Sequence, residues 1–283
     1  MCFPSRYNET VEKRRMCPNC RAFITINDRV CPYCDAPLGP RAVDMRAQAF
    51  AASFLPRANL TSIIVLAINF AFFMVELALS HSIANPDPGL DFGQTYGPLV
   101  AHGQFWRLVS AGFLHGSWMH LLMNSWSLFI LVTEVEQFYG TSRFIVVYVF
   151  STITGFFCAC IFTPHSPVLG ASCAAFGLMG MMLAMGVGQR ADPLTQAVRQ
   201  HYGQWIVFGL VMSLGGGISM AGHVGGLVGG FIIGFIAGRP SLPGSFREGF
   251  WKLIAGFALS LVLFCCYLDF AYVSRLYSHA SPG

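Results

Sequence analysis

Charge is what this sequence lacks. Only 11% of its 283 residues are Asp, Glu, Lys or Arg, where a soluble domain carries about 25%. With 54% hydrophobic residues, 30 glycines and a mean hydropathy of +0.57, the chain has the composition of a membrane protein. A secretory leader is a second absence, since the first long apolar run starts near Leu60, far beyond a leader's reach. Charged residues at the middle of the apolar runs are a third, which leaves a transporter with little behind it. The net charge is +4, and no nucleic-acid partner is expected.

What is present is a series of apolar runs at about 60–79, 119–137, 144–162, 171–188, 204–219, 221–238 and 251–273. Each approaches the roughly 20 residues that span a bilayer. The fourth to sixth are short and glycine-rich, and Gly215-Gly216-Gly217 blurs the boundary between the last two of these. With the N-terminus inside, fifteen of the seventeen Lys and Arg fall in cytosolic segments, and Arg107 and Arg275 remain outside. That asymmetry orients a multi-pass protein with a cytosolic N-terminus. The expected location is a bacterial cytoplasmic membrane, with the lipid bilayer as a partner.

Four of the ten cysteines cluster near the start as Cys17-Pro-Asn-Cys20 and Cys31-Pro-Tyr-Cys34. Two such knuckles joined by a short hairpin present four thiolates tetrahedrally, which suits a structural Zn²⁺. Ala22 to Ile26 alternates like a strand and Asn27-Asp28 signals a turn. Two rivals stand beside the zinc ribbon. Cys31-Pro-Tyr-Cys34 is similar to a glutaredoxin redox site, but that chemistry needs a βαβ fold for which there is no room. A disulfide pair needs an oxidising compartment, and the charge map puts this segment in the cytosol. The ribbon is a small folded knob or a docking module for a cytosolic partner. Cys158, Cys160, Cys265 and Cys266 read as small apolar packers. The organisation is a flexible N-terminus (1–16), a ribbon module (17–35), a linker (36–59), a six-span core (60–238), and a final loop, span and short tail (239–283).

Chemistry concentrates at three places. Gly170-Ala171-Ser172 opens the fourth run and puts a hydroxyl nucleophile at the mouth of a helix. His223 lies near the start of the sixth. His120 and Asn124 sit one turn apart on one face of the second. The orientation places all three at one depth, toward the outer side, so residues far apart in sequence share a level. Serine, histidine and a donor pair inside a membrane bundle suggest a serine hydrolase. No carboxylate appears at that depth to orient the imidazole, so the reading is a dyad. A neutral imidazole is needed to activate the hydroxyl, and apolar surroundings favour the neutral form. Small residues at intervals of four, from Gly180 to Gly188 in one run and Gly226 to Gly238 in another, let helix backbones approach closely.

Taken together, these residues resemble the rhomboid family of intramembrane serine proteases. The match covers about Tyr96 to Gly238: Trp106-Arg107, the stretch Phe113 to Asn124, Glu136 to Gly140, Arg143-Phe144 with Tyr148, Gly170-Ala171-Ser172, and His223 with Gly226 and Gly230. The resemblance implies an all-α polytopic membrane protein: a six-helix bundle plus one C-terminal transmembrane helix, with the zinc-ribbon hairpin as an addition. It implies Ser172 as nucleophile, His223 as base, and an oxyanion hole from the Ser172 N–H, His120 and Asn124. Gly170 and Phe176 support the site, Phe176 where the family has an aromatic residue packed on the histidine. No cofactor is implied for catalysis. Expected substrates are single-pass or polytopic membrane proteins, cleaved in transmembrane segments near the outer leaflet. The alternative is a proteolytically inactive relative that binds membrane clients. Cys173 favours it, because the family has glycine directly after the serine. Trp106 and Arg107 suit a membrane interface, His115 reads as a loop hydrogen-bonder, and Glu136 as a tie at the inner helix end.

Overall fold

A computed structural model describes residues 14–17, 19–25, 28–38, 60–80, 88–185, 193–215, 217–238 and 245–280. The chain divides into two units, residues 1–57 and 58–283. Most of the expected flexible N-terminus and linker, the loop at 239–244 and the last three residues lie outside the described residues.

In the first unit, β1 (Arg14–Met16) pairs antiparallel with β2 (Phe23–Thr25), Met16 opposite Phe23. This differs from the expected arrangement. The hairpin wraps the first knuckle instead of joining the two, and its partner strand comes from the segment read as an N-terminal tail. The two knuckles repeat one another. In each, the first cysteine's N–H donates to a carbonyl five residues on, Cys17 to Ala22 at 2.9 Å and Cys31 to Ala36 at 3.0 Å. In each, its carbonyl accepts from the residue four on, Arg21 at 3.0 Å and Asp35 at 2.9 Å. Arg21 and Asp35 both take positive φ, 59° and 55°. The buried core here is Cys17, Ile24 and Cys31, packed by Cys34 and Leu38.

Among its described residues, the second unit carries seven longer helices: α1 (Leu60–Ser80), α2 (Trp118–Tyr139), α3 (Thr141–Phe162), α4 (Ser172–Ala184), α5 (Pro193–Ser213), α6 (Met220–Ala237) and α7 (Phe246–Ala280). Six of them lie at the positions of the expected apolar runs. Among the described residues, four (α1, α3, α6 and α7) are long and apolar enough to cross a bilayer. The 13-residue α4 is shorter and sits inside the bundle, with its residues Cys173 to Met182 buried. The fifth run is displaced from the expected 204–219. The helix starts at Pro193 and stops at Ser213, because Gly215 and Gly217 open a turn, Gly217 at φ 74°, where helix propagation is costly.

Serine caps fix where α2 and α6 begin. Ser117 accepts the His120 N–H at 3.2 Å to start α2, and Ser219 accepts the Gly222 N–H at 3.1 Å to start α6. Helix α4 lies against α6 with almost no side chain between. A Cβ on Gly230 would fall 1.9 Å from the Gly177 carbonyl oxygen, one on Gly226 2.2 Å from that of Cys173, and one on Gly180 2.2 Å from that of Leu227. The small-residue stripes therefore act as backbone-to-backbone contacts, as close glycine packing permits. Gly238 departs from its stripe: it caps α6 at φ 55° and lies against Arg247.

Polar ties hold the ends of the bundle. Glu136 accepts from Thr61 Oγ1 at 2.8 Å and from the Thr141 hydroxyl, joining α2 to the starts of α1 and α3. Buried Arg143 on α3 forms a two-pronged pair with Glu248 of α7, at 2.9 and 2.7 Å, and lies over the Trp251 ring. Arg107 corrects the interface reading. Its side chain is 0% exposed and donates to the Leu90 and Gln94 carbonyls and to Gln104 Oε1 at 2.6–2.8 Å. It lies over the Tyr272 ring of α7. The guanidinium thus organises the loop before α2 instead of facing water.

Candidate active site

The loop entering α4 is pinned before it reaches Ser172. Val168 and Thr95 exchange backbone hydrogen bonds of 2.9 Å each, and the Gly170 N–H donates to the Ala111 carbonyl at 2.9 Å. Gly170 has φ +117°, a conformation that favours glycine. A Cβ there would also lie 2.6 Å from His120 Nε2 and 3.5 Å from Asn124 Nδ2. Without one, the loop backbone runs directly against the two donors of α2. The Asn124 amide nitrogen is buried and has no hydrogen-bond partner among the described residues.

Ser172 is the first residue of α4, where helix N–H groups are free and the backbone dipole favours negative charge. His223 lies one turn into α6. Its Nε2 is 2.9 Å from Ser172 Oγ. The Phe176 ring, one turn below Ser172, stacks on the imidazole with centroids 4.1 Å apart and planes 18° apart. Gly209 of α5 makes room for that ring, since a Cβ there would meet Phe176 Cζ at 2.7 Å. His115, buried edge-on to His120, bonds the Phe113 carbonyl through Nδ1 at 3.2 Å. Its backbone N–H donates to Glu76 Oε2 at 3.4 Å.

Ser172, His223, His120, Asn124, Phe176 and Gly170 thus converge on one site at the starts of α2, α4 and α6. The arrangement has a hydroxyl, an adjacent nitrogen base and a neighbouring group of free donors, the parts needed for acyl transfer. One contact was missed by sequence reasoning. Ser213, the last residue of α5, places its Oγ 2.7 Å from His223 Nδ1. A lone serine after Leu-Val-Met carries no motif, and with α5 expected at 204–219 it reads as a helix-interior residue.

Cys173 is buried where α4 meets α3 and α6. A Cβ on Gly155 would come within 2.6 Å of its Cβ, and one on Gly222 within 3.2 Å of its Sγ. The extra side chain after the serine is therefore housed by two glycines on α3 and α6.

In the first unit, Cys17, Cys20, Cys31 and Cys34 bring four sulfurs within 4.8 Å of one another, so this cluster can hold a metal ion. Cys17–Cys34 and Cys20–Cys31 are 3.8 and 3.6 Å apart. A tetrahedron of thiolates 2.3 Å from zinc has edges of about 3.8 Å. The Cys20 N–H pulls the Cys17 thiol down to about 6, and the Ala36 N–H lowers Cys34. Both favour the thiolate a metal requires, whereas burial and the neighbouring sulfurs push the Cys20 thiol up to about 12.

A family model of the Rhomboid domain matches residues 102–240. The chain is 30% identical over 204 residues to Rhomboid-like protease 1 of Toxoplasma gondii, covering 66% of this chain and 67% of that protein. It is 31% identical over 195 residues to Rhomboid protease GluP of Bacillus subtilis, covering 67% of this chain and 37% of that protein. A 92-residue stretch is 33% identical to Inactive RHOMBOID-like protein 8 of Arabidopsis thaliana, covering 32% of this chain and 26% of that protein. The chain belongs to the rhomboid family. It spans little more than a third of the length of GluP.

Proposed function

We propose that this protein is an intramembrane serine endopeptidase that cleaves transmembrane segments of membrane proteins near the outer leaflet. The observation that carries this reading is His223 Nε2 at 2.9 Å from Ser172 Oγ, on helices held together by glycine contacts. Ser172 attacks the scissile carbonyl while its proton passes to His223, which returns it to the leaving amine. The developing oxyanion meets the Ser172 N–H, the unpartnered Asn124 amide and His120. The N-terminus lies in the cytosol, following the Lys and Arg asymmetry. The cysteine module holds one structural Zn²⁺, which folds that module and takes no part in the chemistry.

Cleavage of a panel of membrane-anchored reporters in proteoliposomes tests the reading. Wild type should cut at least one inside its transmembrane segment, and Ser172→Ala and His223→Ala should cut none. Cutting that survives Ser172→Ala overturns it.

Two observations favour a second reading, a client-binding protein without proteolysis: Cys173 after the serine, and similarity to a relative named inactive. Absence of cutting by wild type and Cys173→Gly alike, with co-purification of uncut reporters, is the outcome this alternative requires.

A further inference from the structure

We propose that Ser213 is a positioning residue for His223, supplying from α5 the orienting contact for which the sequence offers no carboxylate. The inference rests on the reading of Ser172 and His223 as nucleophile and base. A serine hydroxyl has one hydrogen and two lone pairs. The hydrogen of Ser213 is used: its Oγ donates to the Gly209 carbonyl at 2.8 Å. Toward His223 Nδ1, at 2.7 Å, the same oxygen therefore accepts. This assigns the proton of the neutral imidazole to Nδ1 and leaves the Nε2 lone pair facing Ser172 Oγ, the tautomer a base needs. Both residues are buried, Ser213 at 5% and His223 at 6% exposure, so bulk water does not compete for the contact.

The same bond gains strength as the reaction proceeds. When Ser172 Oγ bonds to the carbonyl carbon and its proton moves to Nε2, the imidazole becomes a cation that donates from both nitrogens. A hydrogen bond from a charged donor is roughly twice as strong as a neutral one. An interaction stronger in the transition state raises the rate of the chemical step more than it tightens binding. The Gly209 carbonyl polarises the hydroxyl in the same sense. Gly209 and Ser213 share one face of α5, a turn apart, and fix the imidazole twice: one leaves room for the Phe176 ring against its face, the other bonds its edge.

The test measures inactivation of the full chain by a fluorophosphonate, separating the maximal rate from the half-saturating concentration. Ser213→Ala should lower the maximal rate about tenfold, the worth of one such hydrogen bond, and leave half-saturation within twofold. Ser213→Thr, whose hydroxyl also bonds the carbonyl four residues back, should restore the rate. Ser213→Ala reacting like wild type overturns the inference. So does equal slowing by Ala and Thr, which would show that fit matters and the hydroxyl does not. If Ser213→Ala does not fold, nitrogen NMR of the imidazole in wild type decides: a proton on Nδ1 supports the assignment, and a proton on Nε2 overturns it. Wild type that fails to react at Ser172 at all refutes the underlying nucleophile reading, a different failure from a mutant that matches a reactive wild type.

Discussion

The two units of this chain are held together by different means. Among its described residues, the cysteine module buries only Cys17, Ile24 and Cys31 as its core, little apolar surface for a fold. What it adds is four sulfurs that can hold a metal ion, whose binding would be folding free energy. The helical unit has an extensive core, and at its centre the contacts that matter come from absent side chains: Gly177 and Gly180 on α4 against Gly226 and Gly230 on α6. One unit should therefore be sensitive to chelators and the other to single methyl groups. Every residue of the candidate active site belongs to residues 58–283, so the proposed chemistry lies in the helical unit alone.

The largest effect should come from the helix contact. Gly230→Val pushes a side chain into the Gly177 carbonyl and should destabilise the unit by about 3 kcal/mol. It should also reduce cleavage to background by parting Ser172 from His223, as read by thermal unfolding in detergent and a cleavage assay. Next come the donors. His120→Ala or Asn124→Ala should each cost about 10²–10³ in rate, with the double variant lower than either. Two single variants as fast as wild type would remove these residues from the oxyanion hole.

A smaller effect is expected at Cys173. The glycines opposite it leave a space that its side chain fills, so Cys173→Gly should destabilise by about 1–2 kcal/mol through a void and a flexible helix position. Cleavage at low temperature should persist, since His223 Nε2 pairs with Ser172 Oγ and the sulfur takes no part in that bond. The smallest effect on activity should follow removal of the metal. Purified protein should carry one zinc per chain, and Cys17→Ser with Cys34→Ser should lose it. Cleavage should nevertheless stay within about twofold of wild type. Acidification should also release the metal, because protons compete for the thiolates.

Much of the site was legible because its residues come with their neighbours. Gly170-Ala171-Ser172, His120 with Asn124, and His223 with its glycines each have a local pattern. The alternation of apolar runs placed the starts of the second, fourth and sixth on one side. What escaped notice depends on tertiary approach alone. Ser213 contacts His223 only because α5 stops before the glycines that follow it. Arg107 is buried because carbonyls of the preceding loop curl around it and α7 covers it, and a Trp-Arg pair looks the same whether it faces lipid headgroups or a protein interior. Arg14–Met16 becomes a strand because β2 needs an edge partner, which a polar three-residue segment does not advertise.

The central claim is that Ser172, activated by His223, is the nucleophile. It is tested most directly by mapping the covalent adduct that a fluorophosphonate forms with the membrane-inserted wild-type protein. The account predicts a single adduct on Ser172, absent in Ser172→Ala and strongly slowed in His223→Ala. An adduct on Cys173, or labelling that persists in Ser172→Ala, would contradict it.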